Sequence, residues 1–574
     1  VAVLTADAVA LTPVDWGVLA VYLAAIVTFG LWMGRGNRRV DDFFLAGRQM
    51  RWWAAGLSVM ATQVSAITFV GTTGQAYTEG MSFLAFYLGL PFAMVILSVT
   101  VVPFFYRSGV FTAYEYLERR FDARTRTLAA LLFLGSRSLA VGVTLYAPSL
   151  VLSVILGLSE TTTILLMGGT TIAYVVWGGN RSVIWTDVVQ MGLIWLGIFL
   201  CVGVAVARLP EGLTLRDGLA VAQATGRLET MDLSFDLTKP YTVWSGLIGG
   251  LFLAMSYFGC DQSQVQRYLS GRSLTESRLS LLFNAFLKVP MQFLILLTGV
   301  LVFAFFHFQV PPLLWNRAEL ARVEREAPAA ELVKVREEFQ AAHLERRRAA
   351  VAYASVRHDG DVAVRAREDY LAAGRRVEAA EVEARRLAER VTGEPYNDTN
   401  YIFPTFVVSQ LSGGLAGLII AVIFAAAMSS LSGEFNSLAT ASLVDIYRRY
   451  VRPSASDGHY LAVSRAFTAL WGILACLVAL EAGRLGSAIE AVNKLGSYFY
   501  GSILGVFGLA VLTPSATPRG AFYGLLAGMT AVFLVSQLTA VAFLWYNVIG
   551  ALTVFLVGLL ITATAPGPDP GGAR

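Results

Sequence analysis

The 574-residue chain is 56% hydrophobic and 15% charged, with a net charge of +4 and a mean hydropathy of +0.61. Soluble domains carry roughly a quarter charged residues, so this composition excludes an ordinary soluble domain and marks a polytopic membrane protein. The small net charge gives no support to nucleic-acid binding. The cysteines (Cys201, Cys260, Cys476) sit in or at the ends of apolar runs and imply no disulfide framework, and the histidines show no metal-ligand spacing.

Apolar runs of about 18 residues or more predict about thirteen helices. Their approximate spans are 14–34, 52–78, 82–106, 127–157, 160–178, 183–207, 242–260, 278–308, 404–434, 461–482, 487–513, 519–539 and 542–564. The first is followed by Arg35, Arg38 and Arg39 and reads as a retained helix rather than a cleaved leader. Loops after the odd-numbered spans hold most of the Lys and Arg, which places the N-terminus outside and the C-terminus in the cytoplasm of a cell (inner) membrane. The chain then divides into an external tail at 1–13, eight helices over 14–315, a soluble insert at 316–393, five helices over 394–564 and a cytoplasmic tail at 565–574.

The second span, Trp52–Tyr77, contains Thr62, Gln63, Ser65, Thr68, Thr72 and Thr73, with glycines at 71 and 74. Such a helix breaks midway only where its freed carbonyls line a cavity or hold an ion. Leu251–Gln262 shows a similar interruption five helices later, at Gly259, Asp261 and Gln262. Two interrupted helices five apart point to an inverted-repeat transporter with its site at the midplane. The alternative is two helix ends with ordinary polar caps.

Three charges fall inside spans: Arg137, Asp187 and Lys288. Intramembrane charge is costly and faces the bundle interior by default. Two readings stay open for Arg137: pairing with an acid such as Asp261, or clamping a carboxylate of the substrate through two parallel hydrogen bonds.

The insert Asn316–Arg390 is dense in Arg, Glu and Ala, the composition of a solvated helical hairpin, with its turn expected at His358–Asp361. The topology puts it outside, as a spacer or as a docking or gating element. Beyond it, the run Leu411–Phe424 closes on Ala425-Ala-Ala-Met-Ser-Ser-Leu-Ser-Gly-Glu-Phe-Asn-Ser437. On a helix, Ala426, Ser429 and Ser430 stand at i, i+3 and i+4, so one carbonyl and two hydroxyls share a face. Three neutral oxygens make a partial shell for a hard monovalent cation, whereas a divalent ion calls for carboxylates. The competing reading has these serines bonding back to their own helix.

With these motifs in view, the chain resembles the sodium:solute symporter family. The resemblance rests on Asp41–Arg48, Tyr114–Phe121, Tyr146–Ser149, Gly178–Gln190, Asp261–Tyr268 and Ser429–Ser437, and covers about 40 to 515 apart from the insert. It implies an all-α fold of the LeuT type, two inverted five-helix repeats with flanking helices and an inserted extramembrane hairpin. It also implies inward cotransport with Na+ by alternating access and no enzymatic chemistry. Carried over by position, the main sodium site uses the carbonyls of Ala61, Val64 and Ala426 and the hydroxyls of Ser429 and Ser430. An additional sodium falls on Asp187 and Ser432, with Gly433 where a second serine stands in other members.

The pocket transfers less directly. Ile67 and Thr68 replace the Glu-Gln pair of the family's sugar carriers, and Ala254 replaces an asparagine, which argues against a hexose that needs many hydrogen-bond partners. Tyr257 falls on the inner-gate aromatic, Asp261 on a pocket asparagine, Lys288 on a pocket lysine and Asn493 on a pocket glutamine. Thr68, Arg137, Tyr257, Asp261, Lys288 and Asn493 are therefore the expected substrate residues. The motifs resemble most closely the branch that carries monocarboxylates, vitamins and anions, so the expected partners are the bilayer and a small organic anion such as a carboxylate. A neutral amino acid or a sugar is the alternative substrate. A sensor with the hairpin as its binding module is the alternative function.

Overall fold

A computed structural model describes residues 11–210, 213–393, 395–411, 413–482 and 488–564, with backbone alone over 488–495. The fold is all-helical. Among the described residues nine helices are long and apolar enough to cross a membrane, or ten when the bent pair Trp52–Gln63 and Ile67–Glu79 counts as one span.

The expected thirteen differ from this count for local reasons. The two spans expected over 160–207 form one helical run of 48 residues, Glu160–Ala207. Straight, it would measure about 72 Å at 1.5 Å per residue, more than twice a hydrocarbon core of roughly 30 Å. It bends at Gly179, whose φ of +56° suits glycine and whose missing Cβ would lie 2.5 Å from the Phe43 carbonyl oxygen. The seventh and eleventh expected spans fall on the shorter apolar helices Ser245–Cys260 and Gly496–Leu512.

Both predicted interruptions are present. The first pair is bent by 65°. Trp52–Gln63 ends at Val64 (φ −90°, ψ 85°), and a π-helical turn, Ile67–Gly71, restarts the chain. The second half is gripped by backbone: a Cβ on Gly299 would lie 2.2 Å from the Thr73 carbonyl oxygen. The second break falls at Asp261, between Gly250–Cys260 and Gln262–Leu269. There the Asp261 carboxylate caps the restarted helix, accepting from the Ser263 N–H at 2.8 Å and the Ser263 hydroxyl at 2.6 Å.

At the centre lies Leu415–Ala441, the serine helix, with almost every side chain buried. Small residues suit it to that place, because they let neighbouring helices approach closely on all sides. It packs against Ala123–Leu156 (the arginine helix), Glu160–Ala207 and the first half of the broken helix.

The insert is a hairpin of Ala329–Val356 and Gly360–Thr392, turning over 357–359, which overlaps the expected 358–361 but starts one residue earlier, and it is preceded by Arg317–Glu326. It rests on the bundle. Ala350, Ala354 and Tyr370 share a buried cluster with Val221 and Phe308, Arg357 pairs with Asp217 at 2.6 Å, and Arg346 donates to the Phe306 carbonyl at 2.9 Å. Inside the hairpin, burial and the Arg346 charge push the His343 imidazole down to about 2, so its 3.7 Å approach to Glu381 joins a neutral ring to an acid at pH 7.

A base whose pKa is depressed on folding adds stability above its unfolded pKa of about 6.5, and that stability drains away as pH falls below it. Between pH 7 and pH 5 the expected loss from His343 is about 2 kcal/mol. Burial raises the Glu381 carboxyl, which works in the opposite sense, so the comparison with His343→Gln isolates the ring. Hydrogen exchange of the hairpin amides at pH 5 and pH 7 reads the difference, and identical profiles for wild type and variant would remove His343 from the account.

Candidate functional site

The break at Val64 and the middle of the serine helix meet. The Ser429 hydroxyl lies 3.2 Å from the Ala61 carbonyl oxygen and 3.0 Å from that of Ala426, and the Ser430 hydroxyl lies 3.3 Å from the same Ala426 oxygen. Four of the five expected sodium ligands are thus linked by these three contacts. Val64 follows at the break itself, where its backbone leaves the helical path. The two readings of the serines coexist: both bond back to Ala426, and Ser429 also reaches across to another helix. Octahedral oxygens about 2.3 Å from a hard cation sit roughly 3.3 Å apart, so the observed separations need little adjustment to close around an ion.

The residues expected at an additional sodium are arranged differently. Ser432 donates its hydroxyl to the Ser429 carbonyl at 3.0 Å, and Asp187 accepts from the Ser58 hydroxyl at 2.6 Å. The space beside Gly433 is taken by the buried Arg267 guanidinium, whose Nη2 lies 2.6 Å from where a Gly433 Cβ would stand. Arg267 also bonds Asn180.

Beside the first site is a cavity of about 180 Å³ whose walls include Thr62, Gln63, Thr68, Arg137, Tyr257, Ser430, Glu434 and Tyr500. Of the expected substrate residues, Thr68, Arg137 and Tyr257 line it. Asp261 sits behind the wall, bonded to Arg137. Lys288 is fully buried outside the lining; its Nζ has no hydrogen-bond partner among the described residues and lies 5.3 Å from the Tyr87 ring centroid. Asn493 stands on Ala488–Leu512, outside the residues whose side chains are described.

Arg137 is paired. Its Nη2 contacts Asp261 and the Tyr500 hydroxyl, and its Nε lies 3.1 Å from Glu434 Oε2. The Tyr257 and Tyr500 rings each lie 5.5 Å from its central carbon. The Tyr257 hydroxyl accepts from the Gln264 amide at 2.8 Å, which fixes the ring against the second break.

Sequence reasoning assigned no role to Glu434 or Tyr500. For Glu434 a signal was available: a carboxylate one turn past Ser430 in a buried span is a functional residue by default. Tyr500 gave none, since an aromatic in an apolar helix is ordinary core.

Residues 43–328 and 378–528 match the model of the Sodium:solute symporter family. The sodium/glucose cotransporter of Vibrio parahaemolyticus is 27% identical over 535 residues, covering 91% of this chain and 85% of the relative. Human sodium-coupled monocarboxylate transporter 1 is 27% identical over 514 residues, with coverages of 89% and 70%. The substrate-bound outward-open structure of a sodium-coupled sialic acid symporter, described as revealing a novel sodium site, superposes with a TM-score of 0.77 at 26% identity, over 96% of this chain and 98% of that one. Relatives named for glucose, sialic acid and monocarboxylates lie at nearly equal identity, so overall similarity singles out no branch.

Proposed function

The chain belongs to the sodium:solute symporter family, and from that premise we propose that it imports a small carboxylate-bearing organic solute with sodium held by Ala61, Val64, Ala426, Ser429 and Ser430. It is a multi-pass membrane transporter, not an enzyme, and Na+ is its coupling ion. The observation that carries the site is the Ser429 hydroxyl, within 3.2 Å of carbonyls on both the broken helix and the serine helix. An ion there ties the two together, while the solute binds a few ångströms away against Thr68, Tyr257 and Arg137. Each ligand then raises the affinity for the other, as thermodynamic coupling requires. Among the described residues the hydrogen bonds of Arg137 run from Nη2, which leaves Nη1 for a solute oxygen. The N-terminus and the hairpin face outside in this reading, and the C-terminus faces the cytoplasm of the cell membrane.

One sodium per cycle is the favoured stoichiometry. Arg267 is a buried cation against Gly433, near enough to Asp187 for their charges to interact, and an ion placed there meets like charge in a medium of low dielectric. The test is uptake of radiolabelled carboxylates and amino acids into proteoliposomes under an inward sodium gradient. The expected result is uptake in sodium but not potassium, with a Hill coefficient for sodium of about 1. Uptake indifferent to sodium would remove the proposal, and a Hill coefficient near two would restore a second ion at Asp187.

A further inference from the structure

We propose that Glu434 recognises a protonated amine on the transported solute, so that the solute is a zwitterion of the amino-acid class rather than a simple anion. This rests on the sodium-symport reading above and narrows its substrate. Two carboxylates, Asp261 and Glu434, face the single guanidinium of Arg137. Asp261 is already satisfied by that guanidinium and by the Ser263 N–H and hydroxyl. Glu434 is the surplus charge: it lines the cavity, is 4% exposed, and its Oε2 touches Arg137 without forming a hydrogen bond.

Among the described residues, Arg137 and Glu434 are the charged side chains of the cavity wall. Lys288 and Arg267 lie outside the lining. Arg267, whose charge also reaches Glu434, is offset by Asp187, so a simple anion drawn to Arg137 would enter a group of two cations and three carboxylates that sums to −1. A buried charge without compensation is strongly unfavourable. An amino acid supplies both signs a few ångströms apart, as Arg137 and Glu434 do across 3.1 Å. Its carboxylate meets the Nη1 side of the guanidinium and its ammonium meets Glu434. The flanking Tyr257 and Tyr500 rings favour a cation as well.

Thermal-shift titration of the purified full-length chain in sodium tests this with matched probes. These are alanine, propionate and ethylamine; phenylalanine, 3-phenylpropionate and phenethylamine; and glucose and N-acetylneuraminate. At least one amino acid should bind about tenfold or more tightly than its deaminated acid and its decarboxylated amine. Glu434→Gln should collapse that preference to within about threefold, while Glu434→Asp, which keeps the charge, should retain most of it. The proposal is overturned if a deaminated acid binds as tightly as its amino acid, if glucose or N-acetylneuraminate binds in place of both amino acids, if all probes are silent, or if Glu434→Gln keeps the preference. Stabilisation by sodium alone, measured against potassium in the same experiment, separates the two levels. Its presence with any of these outcomes sinks the amine site only, whereas its absence sinks the symport reading beneath it.

Discussion

Ser429→Ala is expected to raise the sodium concentration for half-maximal uptake by roughly 10- to 150-fold, taking the lost oxygen as a bond to a charged group worth about 1.5–3 kcal/mol. Ser429 is the informative position because its hydroxyl lies against both Ala61 and Ala426 while its side chain stays out of the cavity wall. Ser430 is also close to Ala426 but does line the cavity, so its removal would mix ion and solute effects. The preference of Ser429→Ala among solutes at saturating sodium should stay as in wild type. Apparent solute affinity at low sodium should fall, because coupling is reciprocal. Sodium activation curves that superpose for the two proteins would exclude Ser429 as a ligand and, with it, the proposed site.

Much of this arrangement was legible in the sequence because its signals are local. Hydroxyls and glycines interrupt an apolar run at Thr62–Gly74, and an acid with amides follows Gly259. Each weakens a helix where it stands, and the structure breaks both helices close to those points. The i, i+3, i+4 spacing of Ala426, Ser429 and Ser430 likewise depends only on helical geometry. The hairpin followed from charge density, and its turn overlapped the expected stretch, shifted toward the N-terminus by a residue or two.

What the sequence left open is pairing across the bundle. Arg137 offered two roles, and nothing near it decides between them, because its partners lie on three other helices at Asp261, Glu434 and Tyr500. Lys288 looked equivalent to Arg137 as a buried cation, yet it stays outside the cavity lining, set against the ring of Tyr87, which does line it. Register about a helix axis settles such cases, and a run that is apolar on every face does not reveal it. The docking of the hairpin through Arg357 and Arg346 was hidden for a related reason: a strongly charged surface reads as solvated whether or not it rests on another element.

The resulting charge network sets up the second large effect. Arg137→Met is expected to destabilise the purified protein by about 3–5 kcal/mol, the usual cost of removing one partner from a buried ion pair. The damage comes chiefly from what remains, two carboxylates close together with no cation between them. If that is the cause, neutralising the acids should repair it. Arg137→Met with Asp261→Asn and Glu434→Gln should recover most of the lost stability in detergent melting while leaving uptake absent, because the groups that meet the solute are gone. Energies within one network are not additive, so the triple variant and not the sum of single changes is the decisive comparison. A triple variant that melts as early as Arg137→Met would mean that the guanidinium stabilises through its contacts with the Tyr257 and Tyr500 rings. A single variant that melts like wild type would mean that the acids find other partners. Either result would take the surplus negative charge out of the cavity wall, and the argument for a cationic group on the solute would go with it.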